Sequence, residues 1–570
     1  MPYSDREHGF WTGYFTSRVS LKGFVRDLGR YINTIRTHLG LLKLSNSSQV
    51  VNDNLDKLEY SIWQVEMAMG ILQHHDAVSG TAKQKVTQNY FMTGATAKLK
   101  LDGFYSKVLK EQLANSLNET VQEFVFPHWN GTYEEWGISK VLATNKTILL
   151  SIYNPGPKGI YTVRVRVTNQ ELALRTAANN SQLAGEILCV NKDAKDCELV
   201  FNLAFEETSY SYVKLTASKS GSAKVINTKT ILATETTKSW NVSNTANLQF
   251  LHSKLSFVLS FSNGSVVYPF SVSYHYYESY QGTGQKSGAY IFRPSVLTIA
   301  GPRKYSTIKN VSYAEGSIYL VVVLEGDLTY TKLFFNKMPS YLETYGFETS
   351  TFVDSINIDD KQGKEIVMQV ASDLTNNRTF FTDSNGLEEQ KRIINFRPTW
   401  PFVTDEFASS NYYPVNSHVT IKDITSARRL TVMVDRSEGG TSLQEGCIEL
   451  MVHRRTVYDD ERGVFEPMNE TDADGKGMRQ YIRHFIVFGD QYRRTQKRND
   501  QPLLVVWSNS STASFGQGWQ PSAAAIHVNE DVKLFLRPLK SENEYLLRLH
   551  NFNTQKPVHS RVNVDLSSLT

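Results

Sequence analysis

Gln73-His74-His75-Asp76-Ala77-Val78-Ser79-Gly80-Thr81 puts two imidazoles and a carboxylate in succession, then closes on small and polar residues suited to a turn. The stretch before it is helical in period: Leu55, Leu58, Ile62, Val65, Met69 and Leu72 recur at three- and four-residue spacing. The stretch after it continues in the same period through Val86, Tyr90, Ala97, Leu101, Phe104 and Val108. Gly80 can adopt the left-handed conformation that stops a helix, so helix, break and second helix follow from this segment alone.

Working outward, Leu21, Phe24, Val25, Leu28, Tyr31, Ile32, Ile35, Leu39 and Leu42 form a further amphipathic face, and Ser45-Asn46-Ser47-Ser48 separates it from the next. Three such helices make a small bundle over about residues 20–115. Past residue 120 short β-branched and aromatic runs take over, among them Thr147–Tyr153, Ser317–Leu324, Leu430–Val434 and Leu503–Trp507, with Asn, Gly, Pro and Ser between them. Such runs read as stacked β-sandwich domains. The expected class is α+β, a three-helix bundle followed by all-β sandwiches.

Composition sets the outer limits. At 570 residues, with 40% hydrophobic and 12% aromatic side chains, the chain can bury a sizeable core and divides into about three or four domains. A formal charge of +4 gives no reason to expect nucleic acid or an anionic membrane as partner. No run of about 18 apolar residues exists, so no membrane span is expected. The first residues, Met1-Pro2-Tyr3-Ser4-Asp5-Arg6-Glu7-His8, lack the apolar core of a signal peptide. Against that stand eleven Asn-x-Ser/Thr sequons, at Asn46, Asn118, Asn130, Asn145, Asn179, Asn241, Asn263, Asn310, Asn377, Asn469 and Asn509, which have meaning only in the secretory pathway. Of three cysteines, Cys189 and Cys197 can close a small loop within a hairpin, leaving Cys447 over; three buried thiols are the alternative.

The chemistry of His74, His75 and Asp76 is open at this level. Neutral imidazole is a good zinc ligand, but adjacent helical residues point about 100° apart, so one ring is expected at a site and the other against a neighbour. Zinc needs about four donors, and the others must come from elsewhere. A capping aspartate beside two partly buried histidines accounts for the same residues without a ligand.

Several segments together resemble glycoside hydrolase family 38, the zinc-dependent α-mannosidases, and among them the lysosomal acid branch. Phe10-Trp11-Thr12-Gly13-Tyr14-Phe15-Thr16-Ser17-Arg18 resembles the passage from that family's catalytic domain into its helical domain. Gln73–Thr81 resembles the motif that returns a zinc ligand and a substrate-binding aspartate to the active site. Ser287-Gly288-Ala289-Tyr290-Ile291-Phe292-Arg293-Pro294 resembles a β-domain loop reaching the same place. Phe381–Leu387, Asn411–Asn416, Asp435–Gly440 and Met451-Val452-His453-Arg454-Arg455 are similar to further family segments, in the same order.

The resemblance implies His75 as a Zn2+ ligand, Asp76 as a partner of sugar hydroxyls, Tyr290 as a contact of bound mannose and Arg455 at the border of the site. It implies Arg18 near the extended glycan. Residues 1–19 would be the junction with the catalytic domain, 20–115 the mannosidase middle domain and 120–235 a β-sandwich. Residues 236–570 would hold a large galactose-mutarotase-like sandwich and an incomplete C-terminal β domain, with Val562–Leu566 an interior strand.

A retaining glycosidase needs two carboxyl groups about 5 Å apart, as nucleophile and as acid/base. In the family these stand in an N-terminal α/β domain with a His-x-Asp pair, which no part of this chain matches. The expected function is therefore the helical and β portion of an α-mannosidase acting on N-glycans, lysosomal or secretory, with no catalytic residue of its own and an incomplete zinc site. Its partners would be mannose-containing glycans and the missing N-terminal domain. The alternative is a non-catalytic carbohydrate-binding or pseudoenzyme remnant.

Overall fold

Three helices, α1 (Val19–Leu44), α2 (Asn52–Leu72) and α3 (Gln84–Leu117), open the fold. The protein is seen in a computed structural model that describes residues 2–44, 52–117, 122–510, 532–539 and 544–551, apart from 127, 130–133, 136, 145, 169–170, 178, 191–195, 219–220, 244–245, 262–264, 297–300, 338–345, 400, 403 and 491. The apolar periods of α1 and α2 bury as expected: Leu21, Phe24, Leu28, Ile32, Ile35 and Leu39 meet Leu55, Leu58, Ile62, Val65 and Leu72 in one core. In α3 the buried face runs through Leu101, Tyr105, Val108, Leu109 and Leu113, while Val86, expected on that face, is exposed. Gly94 lets α3 approach closely, since a Cβ there would lie 2.7 Å from Phe24 and 3.0 Å from Leu72. The break at Ser45–Ser48 lies outside the described residues.

The bundle rests on an eight-stranded sheet, with Leu149, Tyr212 and Val506 completing its core. That sheet runs in the order Leu504–Ser510, Thr147–Tyr153, Tyr210–Ala217, Leu172–Thr176, Ala223–Asn227, Gly185–Cys189, Asp196–Phe205, Gly159–Thr168. Cys189 and Cys197 form a disulfide across its Gly185–Cys189/Asp196–Phe205 hairpin, and Cys447 is buried and free. One strand crosses the expected division at residue 236. Leu504–Ser510 leaves the later region and pairs along Thr147–Tyr153. Its Val505, Val506 and Trp507 are apolar and cover a sheet edge that would otherwise present unpaired backbone groups.

The rest is a large sandwich of a ten-stranded and a nine-stranded sheet, both antiparallel. Their inner faces share one core, in which Phe270 of one sheet stacks 5.0 Å from Phe347 of the other. A hairpin of Val532–Pro538 and Tyr545–Asn551 packs Leu534 and Leu536 against Leu41 of α1. The expected strand at Val562–Leu566 lies outside the described residues. So do the sequons at Asn46, Asn118, Asn130, Asn145 and Asn263; Asn179, Asn241, Asn377 and Asn469 are exposed, and Asn310 and Asn509 half-buried. Among the described residues no helix is long and apolar enough to cross a membrane.

Candidate functional site

Helix α2 ends at Leu72, and residues 73–79 turn instead of continuing it. This changes the geometry expected for His74 and His75. Freed from helical spacing, their rings lie 4.2 Å apart, and their Nε2 atoms stand 3.5 and 3.6 Å from Asp76 Oδ2. The turn is fixed from below. Gly80 has φ +81°, and a Cβ there would lie 2.3 Å from the Ser17 carbonyl oxygen. The ammonium of Lys22, on the first turn of α1, donates to the carbonyls of Val78 (2.5 Å) and Ser79 (2.8 Å).

Asp76 is the centre of the arrangement. Its Oδ1 accepts from the Thr81 hydroxyl at 2.8 Å and the Tyr290 hydroxyl at 2.9 Å, so the helical domain and the large sandwich meet at one carboxylate oxygen. Partial burial works to raise its pKa, but the two hydroxyls and the two imidazoles outweigh it and hold the carboxyl below its usual range. Burial pushes the Tyr290 phenol up. His75 points outward, with its side chain 85% exposed.

Tyr290 lies on the irregular loop between strands Val266–Glu278 and Arg303–Lys304. Its carbonyl accepts from the backbone N–H groups of Gly13 (3.0 Å) and Tyr14 (3.2 Å). Its N–H and that of Ile291 donate to Asp460 Oδ2 at 2.6 and 2.8 Å. Trp11 packs 4.8 Å from the Tyr290 ring, and Tyr3 meets Trp11 edge-on at 5.2 Å. Asp460 escaped the sequence reading, and Trp11 entered it only as part of a motif. An aromatic two residues before Gly13 was the one available signal for Trp11; Asp460, in an acidic loop, gave none.

Of the four residues expected at the site, His75, Asp76 and Tyr290 come together and Arg455 does not. The guanidinium of Arg455 donates to the carbonyls of Ile356 and Asn469. Its neighbour Arg454 turns toward the site's underside, bonding Ser17 Oγ (2.7 Å), the carbonyls of Gly288 (2.9 Å) and Ile291 (2.7 Å), and Glu365 (2.8 Å). A bulge between Met451 and His453, opposite Ile366 and Val367, sets which of the two arginines faces inward. Arg18 is also a tie within the fold: its side chain is 4% exposed, pairs with Glu466 and Glu470, and donates to the Ala82 carbonyl.

The ligand atoms of His74, His75 and Asp76 lie within 4.8 Å of one another, the only such group of His, Cys, Asp and Glu with metal-ligand spacing found among the described residues. Two imidazole nitrogens and a carboxylate oxygen are the donor types zinc takes. The group is open on one side, so these residues fit part of a zinc site and leave further positions to other ligands.

Residues 9–111 match the α-mannosidase middle domain, and residues 256–462 match the C-terminal domain of glycosyl hydrolases family 38. The chain carries the middle and C-terminal domains of family 38. His74, His75 and Asp76 fall in the first match, and Tyr290, Arg454 and Asp460 in the second. A lysosomal α-mannosidase of Dictyostelium discoideum is 28% identical across 100% of this chain and 58% of its own length. That of Mus musculus is 30% identical over 88% of this chain and 48% of its own, and an Arabidopsis thaliana α-mannosidase is 29% identical over 96% and 56%. The chain thus spans about half the length of the curated relatives it matches. The crystal structure of an Enterococcus faecalis α-mannosidase has the same fold over 96% of this chain and 63% of that one, with a TM-score of 0.61 at 12% identity.

Proposed function

We propose that this chain supplies the helical and β portions of a zinc-dependent retaining α-mannosidase that removes terminal α-mannosyl residues from N-glycans. The observation that carries the proposal is the contact of Tyr290 with Asp76, which joins the two family-matched regions beside an outward-facing His75. In this account His75 is a zinc ligand, while Asp76 and Tyr290 hold sugar hydroxyls. Bound there, zinc would grip adjacent mannose hydroxyls and favour the distorted ring of an oxocarbenium-like transition state. Asp76, kept ionised by its hydroxyl and imidazole neighbours, accepts from a sugar hydroxyl through Oδ2. Trp11 and Tyr290 supply an apolar wall that excludes water from one side of the sugar.

The nucleophile and the acid/base belong, in the same account, to an N-terminal α/β domain carrying a His-x-Asp pair. The chain alone is then inactive and works only with that domain. Solvent-facing sequons and lysosomal relatives support a place in the lysosome or secretory pathway.

The exposure of His75 favours one other reading, a carbohydrate-binding remnant that never meets a catalytic domain. Mapping the 5′ end of the transcript separates the two. In-frame upstream codons for a His-x-Asp motif and an aspartate nucleophile support the enzyme; a start at Met1 supports the remnant.

A further inference from the structure

We propose that Asp460 is a positioning residue for Tyr290, holding two successive N–H groups so that the Tyr290 hydroxyl meets Asp76. The loop that carries Tyr290 has no regular secondary structure around residue 290, so no ladder of backbone bonds fixes the ring. One carboxylate oxygen takes both the Tyr290 and Ile291 N–H groups, at 2.6 and 2.8 Å. On the other side the Tyr290 carbonyl is held by Gly13 and Tyr14. Backbone freedom at this residue is thereby removed, leaving only the side-chain torsions. The approach is tight: a Cβ on Gly288 would lie 2.6 Å from Asp460 Cγ. The Asp460 backbone is itself anchored: its carbonyl accepts from Gln285 Nε2 (3.1 Å) and Arg462 Nη1 (2.7 Å), and the Arg462 guanidinium also reaches Asp5. The Asp460 carboxylate bonds the Tyr290 and Ile291 N–H groups and not His75 or Asp76, so it acts through the loop.

The proposal deepens the mannose-site reading and rests on it for one of its two readouts. The first readout is independent of any ligand. In the full chain, Asp460→Ala is expected to speed hydrogen exchange of the amides in 288–291 by about tenfold or more, as a loop that loses charge-assisted bonds opens more often. Exchange in α1–α3 is expected to stay unchanged, and Asp460→Asn, which keeps one acceptor oxygen, to fall between. The second readout is methyl α-mannoside affinity by NMR titration. Asp460→Ala is expected to weaken it several-fold in the wild-type background and hardly at all in Tyr290→Phe, because the residue works through that hydroxyl. Wild-type exchange rates at 288–291 in Asp460→Ala, or equal affinity losses in both backgrounds, would overturn the proposal. If the wild-type chain binds no mannoside at all, the mannose reading fails, and the exchange measurement alone decides the role of Asp460.

Discussion

The Tyr290 hydroxyl and Asp76 Oδ1 stand 2.9 Å apart although 214 residues separate them in the chain. Each partner is delivered by its own support: Asp76 by a turn pinned to α1 through Lys22 and Gly80, Tyr290 by a loop held between Asp460 and the Gly13–Tyr14 backbone. The site is therefore a meeting of two rigidly held segments, and its chemistry depends on both.

Tyr290→Phe removes the hydroxyl and leaves the ring against Trp11. Half-exposed and without a cavity, the change should alter the melting temperature little. Methyl α-mannoside binding should weaken by about tenfold, the scale of one hydrogen bond to a charged group. An NMR titration beside a thermal melt checks both halves.

Gly80→Ala should be costly on two counts, backbone conformation and space. The residue sits at φ +81° with the Ser17 carbonyl in the space a Cβ would need. Unfolding by denaturant should register a loss of more than about 1 kcal/mol. Gly103, which has nothing within 4 Å of an added Cβ, is the control, and Gly103→Ala should be neutral or stabilising.

Arg454→Met and Arg455→Met should differ sharply although the residues are neighbours. Arg454 and Glu365 form an ion pair with both side chains fully buried, and removing one partner strands a buried charge at about 3–5 kcal/mol. Arg455 is half-buried and bonds two carbonyls, so its loss should cost about 1 kcal/mol. Denaturation midpoints of the two variants give the comparison.

That contrast shows where sequence reasoning reached and where it stopped. The helical periods of α1 and α2 and the turn at Gly80 are local, and local spacing exposes them. Asp76 and Tyr290 were legible through their motifs. The inward arginine depends on a bulge near Val452, which leaves no mark in the alternation of residue types, so Arg455 was expected where Arg454 stands. Leu504–Ser510 pairs with a strand some 350 residues earlier, a choice set by which sheet edge is free and not by the strand's own composition. Asp460 matters through two backbone N–H groups of a distant loop, which sequence spacing does not encode.

His38 gives the fold an acid limit. It is fully buried among Tyr105, Tyr153 and Tyr210, with Nδ1 2.8 Å from the Tyr105 hydroxyl and 2.7 Å from that of Tyr210, and burial lowers its pKa to about 3. A folded pKa below the unfolded value of 6.5 means the fold binds fewer protons there. The contribution is intact above pH 6.5 and is lost progressively as pH falls toward 3. By about pH 4.5 the loss is about 3 kcal/mol. In His38→Gln, which does not titrate, the drop in melting temperature between about pH 7 and pH 4.5 should be visibly smaller than in the wild type.

The most direct test of the central claim is hydrolysis of an aryl α-mannoside by the purified chain with saturating zinc. A chain that supplies His75, Asp76 and Tyr290 but neither nucleophile nor acid should give no turnover above the blank. Release of mannose at a rate near that of complete α-mannosidases would contradict it, and would mean that the carboxyl pair lies within these residues after all.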